Sequence, residues 1–175
     1  MTQRIEQDAG YRDAAEAYGP AMQRLAWATE ANPQRRRELL QDMHVALWRS
    51  LAAFDGRCSL RTWVYRVIHN TAASHVARER RTVRGAASPD ALTHIADTRS
   101  TLDDLERTDA LDRLNAWIRQ LRPTDRQVLT LYLEHLDAAA IAEVTGLSPG
   151  AVATRISRLK NRLTQHFQEA PHDRP

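Results

Sequence analysis

Apolar residues recur at intervals of three and four through almost the whole chain, and the alternating Val/Ile/Thr runs of strands are missing, so the pattern predicts an all-α protein. Asn32-Pro33 reads as an N-cap and first helical position ahead of "QRRRELLQDMHVALWRSLAAF", where Leu40, Met43, Leu47 and Leu51 form one apolar stripe. "FDGRC" then ends that helix. Ser59 is placed to cap the next, "LRTWVYRVIHNTAASHVARERR", in which Leu60, Trp63, Val64, Val67, Ile68 and Thr71 share an arc of the helical wheel and form the expected buried side. An earlier helical region around residues 10–30, expected to be interrupted at Gly19-Pro20, completes a three-helix bundle ending near Arg81.

Beyond Thr82 the periodicity fades, and Gly85, Ser88 and Pro89 give the segment the composition of a linker. The helical pattern returns with Leu105, Leu111, Leu114, Ile118 and Leu121, stops before Pro123 and restarts at Thr124. Asp137 can cap the short "AAAIAEVTG", and Ser148-Pro149 the last long helix. The expectation is two small helical domains, residues 8–82 and 104–168, joined by a flexible linker over 83–103.

On the last helix Val152, Ile156, Leu159 and Leu163 fall in a narrow arc and form the core face. Ala151, Thr154, Arg155, Arg158 and Arg162 fall on a flank turned away from it. Ala142 is small enough for close helix approach, and Gly146 sits at the turn. Residues 137–163 therefore meet what a helix-turn-helix requires, a unit whose second helix enters the DNA major groove. An αα-hairpin with solvated arginines would show the same periodicity.

Charge sharpens this picture. The 175 residues hold 25 basic and 22 acidic side chains, but unevenly: 57–84 carry seven arginines and one acid, 85–113 three arginines and seven acids, and 150–166 four basic residues and no acid. Two basic zones flank an acidic one, as suits a polyanion partner for the basic zones. Cys58 is the only cysteine, which excludes a disulfide framework and multi-cysteine zinc sites and fits a reducing, cytoplasmic setting. No signal-type leader or membrane span is legible, so a soluble protein without membrane insertion is expected.

Candidate chemistry lies in three places. Trp63, Arg66 and Asn70, at i, i+3 and i+7, set an aromatic plane beside a guanidinium and an amide, as stacking and edge-reading of an unpaired base would use. A tryptophan at an apolar edge, however, more often belongs to the core. The run "RERRTVR", with Arg78, Arg80 and Arg81, suits phosphate contact or a solvated helix end. Glu38, Gln41 and Asp42 make an acidic patch opposite Leu40 and Leu47, or an ordinary exposed face paired with Arg35 or Arg49. Seven histidines lack metal-ligand spacing, and no nucleophile-base pair or phosphate loop stands out, so neither an enzyme nor a cofactor is expected.

Two segments together resemble a known family. "RELLQDMHVALWRSLAAFDGRCSLRTWVYRVIHNTAASHVARERR" resembles region 2, and "LRPTDRQVLTLYLEHLDAAAIAEVTGLSPGAVATRISRLKNRL" region 4, of the extracytoplasmic-function (ECF) sigma factors of bacterial RNA polymerase, in order and with the linker between them. The resemblance implies that Glu38, Gln41 and Asp42 dock on the clamp coiled coil of the largest subunit of core RNA polymerase. It implies that residues 54–70, with Phe54, Leu60, Trp63, Arg66 and Asn70, open the −10 element and hold a flipped base, with Arg78, Arg80 and Arg81 on the backbone beyond. It further implies that Thr154, Arg155, Arg158 and Arg162 read the −35 element of promoter DNA, and that an anti-sigma factor is a partner. The sequence departs from the family pattern in three places: Arg37-Glu38 before "LLQD" where two acids are common, Ala153 where a basic residue is common, and "HLD" at 135–137 in place of Gly-x-Ser. A stand-alone helix-turn-helix regulator with a sensing or dimerising domain shares the second half of this description; dependence on core polymerase separates the two.

Overall fold

Each helix boundary follows from a local device. Asn32 accepts from the backbone N–H of Gln34 and Arg35 at 2.9 and 3.0 Å, and Pro33 follows it, which starts a helix without an orphan donor at its first position. Ser59 does the same for the N–H of Thr62 at 3.0 Å. In this computed structural model the described residues are 2–85 and 102–169, with side chains described over 7–82 and 108–168. They form seven helices: α1 (Thr2–Thr29), α2 (Pro33–Leu51), α3 (Leu60–Gly85), α4 (Leu102–Gln120), α5 (Pro123–Leu133), α6 (Ala138–Thr145) and α7 (Pro149–Glu169). No strand occurs among the described residues, so the expected all-α class holds.

By packing, the chain divides into two units, Met1–Leu121 and Arg122–Pro175. In the first, α1, α2 and α3 enclose Met22, Leu39, Met43, Leu47, Val64 and Ile68, all fully buried. Three sequence expectations change here. The first helix is not interrupted: Pro20 lies inside a continuous α1. Glu16 and Pro20 are both exposed, so the carbonyl that the proline leaves unpaired faces water, while Ala14, Met22, Leu25 and Ala26 on the other side hold the helix straight through. On α2 the buried stripe is Leu39, Met43 and Leu47, with Leu40 and Leu51 only half-buried. On α3 the fully buried side is Thr62, Val64, Tyr65, Ile68, His69, Ala72 and His75, rotated away from the arc that hydrophobicity alone selected. Leu60 is exposed, and Trp63, Val67 and Thr71 are half-buried.

The packing division and the composition break do not coincide. The sequence changes character over 83–103, whereas α4 packs on α1 within the first unit, with Trp117 and Ile118 buried. Arg119 Nη1 donates to the backbone carbonyl of Trp27 at 2.8 Å, and the Arg36 guanidinium stacks over the Trp27 ring at 3.4 Å. Partial burial, and secondarily the charge of Arg119, lower the pKa of Arg36. Most of the linker itself, residues 86–101, lies outside the described residues.

The second unit is α5, α6 and α7 around Val128, Leu131, Ile141, Val152 and Leu159. Asp137 accepts from the N–H of Ala140 at 2.8 Å to start α6. Gly146 ends it in the left-handed conformation, φ 75°, its N–H reaching the carbonyl of Ala142 at 2.8 Å. His135, between α5 and α6, also has a left-handed φ of 60°. It stands where the family pattern has glycine, so the side chain takes a backbone conformation that glycine would adopt without steric cost.

Candidate nucleic-acid and polymerase interfaces

The structure gives α7 two distinct sides. Val152 and Leu159 are buried and Ile156 and Leu163 half-buried, as the core arc requires. Ser148 Oγ accepts from the N–H of Ala151 at 3.2 Å and fixes where the helix begins. Thr154, Arg158 and Arg162 are exposed on the other side, together with Asn161, while Lys160 lies on the opposite flank, over the Tyr132 ring of α5 at 5.8 Å. Arg155 departs from the expected free flank. Its Nη1 donates to Asp125 Oδ1 on α5 at 2.6 Å, and the pair is half-buried, with 38% and 16% of the side chains exposed. Arg155 thus ties α7 to α5, a role that its position on the helical wheel does not reveal.

In the first unit the Trp63 side of α3 is an edge rather than core. The indole Nε1 donates to Ser50 Oγ at 3.1 Å, and Phe54 packs against the ring with centroids 5.5 Å apart. One edge and one face of the tryptophan are therefore fixed by α2 and the loop after it. Arg66 is half-buried and Asn70 exposed on the same side of α3. Asp55 and Gly56, the latter at φ 74°, turn the chain between the two helices. Arg57 donates to Asp55 from its backbone N–H at 3.2 Å and from its side chain, which holds the Asp55 carboxyl below its usual pKa.

Glu38, Gln41 and Asp42 are all exposed on α2, and the exposed Val45 continues their row. Neither Arg35 nor Arg49 takes the carboxylates that the plainest reading assigned to them. Glu38 Oε1 accepts from Gln34 Nε2 at 3.1 Å. Asp42 Oδ2 accepts from Arg78 Nη2 of α3 at 3.3 Å, while Arg35 pairs with Glu79 at 2.6 Å. Arg78 is consequently held against α2, and Arg80 and Arg81 are exposed, Arg81 Nε reaching the Ala77 carbonyl at 3.3 Å.

Two histidines that lie outside the apolar arc of α3, His69 and His75, are buried. His69 is fully enclosed, which drives its pKa down to about 3. His75, 3% exposed, has Nε2 3.0 Å from Glu30 Oε2. No cluster of three or more potential metal ligands occurs among the described residues. No helix among them is long and apolar enough to cross a membrane.

The first unit thus holds a helical bundle with a fixed aromatic at its edge, and the second a helix-turn-helix whose outer face carries arginines and no acid. The family model for sigma-70 region 2 matches residues 14–82, and that for sigma-70 region 4 matches residues 111–163. The chain belongs to the sigma-70 family of RNA polymerase sigma factors, in its ECF branch. It is 24% identical over 139 residues to an ECF RNA polymerase sigma-E factor of Haemophilus influenzae, covering 75% of this chain and 74% of that one. It is 29% identical over 148 residues to the RNA polymerase sigma-H factor of Pseudomonas aeruginosa, covering 77% and 74%, and 29% identical over 143 residues to the sigma factor YlaC of Bacillus subtilis, covering 76% and 80%. Among solved structures, CnrH in complex with the cytosolic domain of CnrY has a TM-score of 0.68 at 20% identity over 97% of both chains. The sigma factor RpoE of Bartonella quintana, in complex with the anti-sigma factor NepR, has a TM-score of 0.71 at 19% identity over 93% of this chain and 99% of that one. At these identities the structural likeness speaks for the fold. The function is that of a sigma factor, a transcription initiation factor.

Proposed function

We propose that two sigma regions divide the work of promoter recognition, with region 2 over residues 8–82, a linker over 83–103 and region 4 over 104–168. In this reading Glu38, Gln41 and Asp42 dock on the clamp coiled coil of core polymerase. The exposed carboxylates suit a basic helical partner, and charge complementarity there sets both on-rate and register. Trp63, seated by Ser50 and Phe54, offers one side of a pocket for an unpaired −10 base, and Asn70 offers an amide to its edge. Thr154, Arg158 and Arg162 enter the −35 major groove, where arginine can take guanine O6 and N7 while its neighbours hold phosphates. Arg155 supports that helix from Asp125.

The observation that carries this reading is the two-sided α7: a buried Val152–Leu159 face seats the helix, and the outer face with Thr154, Arg158 and Arg162 is exposed and carries no acid. The protein acts by binding rather than by catalysis, in the cytoplasm where polymerase is found. An anti-sigma factor is its regulatory partner, as NepR is the anti-sigma factor in complex with RpoE of Bartonella quintana. The test is direct: purified protein is mixed with core RNA polymerase and genomic DNA, and the transcripts are sequenced. New, discrete 5′ ends that require both components support the reading. Transcript starts identical to those of core enzyme alone would refute it.

A further inference from the structure

The carboxylate expected to face polymerase and an arginine expected to face DNA are bonded to each other. Asp42 Oδ2 of α2 accepts from Arg78 Nη2 of α3 at 3.3 Å, with about half of each side chain exposed. The same Nη2 lies 3.4 Å from Nδ1 of His75. A guanidinium N–H can only donate, so Nδ1 of His75 is the acceptor of Arg78, and its Nε2 faces Glu30 Oε2 at 3.0 Å. Arg78 is therefore oriented from beneath by a buried imidazole, which α1 holds through Glu30, and neutralised from the side by Asp42. The neighbouring Arg35–Glu79 bridge at 2.6 Å joins the same stretches of α2 and α3, so the crossing is fixed without the Asp42–Arg78 bond.

We infer that Asp42 masks Arg78 in the free protein and that polymerase docking removes the mask, coupling core binding to DNA binding through one exchange of partners. Asp42 cannot give the same oxygen fully to Arg78 and to a basic partner surface. When the partner takes it, Arg78 keeps its contact with His75 and carries an uncompensated charge at the start of the basic run, beside the exposed Arg80 and Arg81. The inference rests on the sigma-factor assignment of α2 and α3 set out above. Linkage makes the coupling reciprocal: DNA that captures Arg78 frees Asp42 for polymerase. An exposed ion pair limits the effect to at most about fivefold in an equilibrium constant. One added phosphate contact steepens the salt dependence by about one counterion.

The experiment uses the full chain without polymerase and a fluorescein-labelled random-sequence DNA duplex at low salt, followed by anisotropy. Asp42→Asn is expected to bind this probe about three- to fivefold more tightly than wild type, with a steeper salt slope. Asp42→Asn in the Arg78→Ala background should gain nothing over Arg78→Ala alone, because the masked charge is then absent. Asp13→Asn, an exposed position on α1, makes the same change of net charge away from the bridge and measures the generic effect. Tryptophan fluorescence and far-UV circular dichroism check that all variants fold. Equal gains from Asp42→Asn with and without Arg78, gains no larger than that from Asp13→Asn, or no measurable probe binding by Asp42→Asn would each overturn the masking. Failure of the wild-type protein to bind core polymerase would instead overturn the assignment on which it rests, and is measured separately.

Discussion

Lowering the pH should destabilise the first unit through His69. Its imidazole is fully buried and its pKa falls from 6.5 to about 3 because burial disfavours the charged ring. The unfolded chain binds a proton near pH 6.5 and the folded chain does not, so the contribution of His69 is fully present above 6.5. It is lost progressively as the pH falls below 6.5, and the loss levels off only below about 3. At about pH 5 the unfolded ring is almost wholly protonated and the native ring almost wholly neutral. One and a half pH units at about 1.4 kcal/mol each gives a loss of about 2 kcal/mol. This figure barely depends on the folded value, provided that it lies well below 5. Trp27, Trp48, Trp63 and Trp117 are the four tryptophans and all lie within Met1–Leu121, so fluorescence-detected urea unfolding reports this unit selectively. His69→Gln, neutral throughout, is expected to lower stability by a constant amount at neutral pH while removing the His69 part of the acid slope. His44, whose pKa partial burial also lowers, remains in both proteins and cancels in the difference. Wild-type and variant stabilities that run parallel from about pH 7.5 to about pH 5 would refute the reasoning and place a charge-stabilising partner at His69.

Asp125→Ala should loosen α7 by about 1 kcal/mol, a charge-assisted bond discounted because Arg155 is more than a third exposed; amide exchange at Val152 and Leu159 reads the loss, and unchanged exchange would make the bridge a solvated contact. His135→Val should destabilise the α5–α6 turn by about 1–2 kcal/mol while His135→Gly should be tolerated, since the left-handed φ is disfavoured for β-branched residues; equal unfolding midpoints for the two variants would mean that the turn relaxes freely. Asn70→Ala should fold and bind core polymerase normally but initiate poorly on duplex promoter, with a smaller defect on a template mismatched across −10, where part of the unpairing cost is absent; an equal defect on both templates would remove Asn70 from strand opening.

The helix boundaries were legible because they rest on short-range chemistry. Asn32, Ser59, Asp137 and Ser148 cap through their own side chains, and Gly146 closes α6 with a conformation suited to glycine. What the sequence hid depends on tertiary partners. Pro20 reads as a break until its turn of α1 is seen to face water. Arg155 reads as a free cation until Asp125, 30 positions away in the chain, is brought to it. The attachment of α4 to α1 depends on Arg119 meeting a backbone carbonyl at Trp27, and a carbonyl leaves no mark in a pattern of side chains. The acidic patch likewise looked self-contained, and only the α2–α3 crossing shows Asp42 committed to Arg78.

The misplaced arc on α3 and the candidate base site are one physical fact. Read by hydrophobicity, Trp63, Val67 and Thr71 belong to the interior, which would leave no aromatic plane for a nucleobase. Tyr65, His69 and His75 then fall outside, as polar residues ordinarily do. The structure exchanges the two groups. Tyr65 packs edge-on against Tyr18 of α1 at 5.9 Å, His75 finds Glu30, and His69 goes inside as the neutral ring. With those groups on the interior side, α3 is turned so that Trp63 comes to the edge, where Ser50 and Phe54 fix it without covering it. An aliphatic residue at position 69 suits a buried side and should keep this rotation, whereas a charged residue there would oppose it and would act on the candidate base-binding side of α3 without touching it.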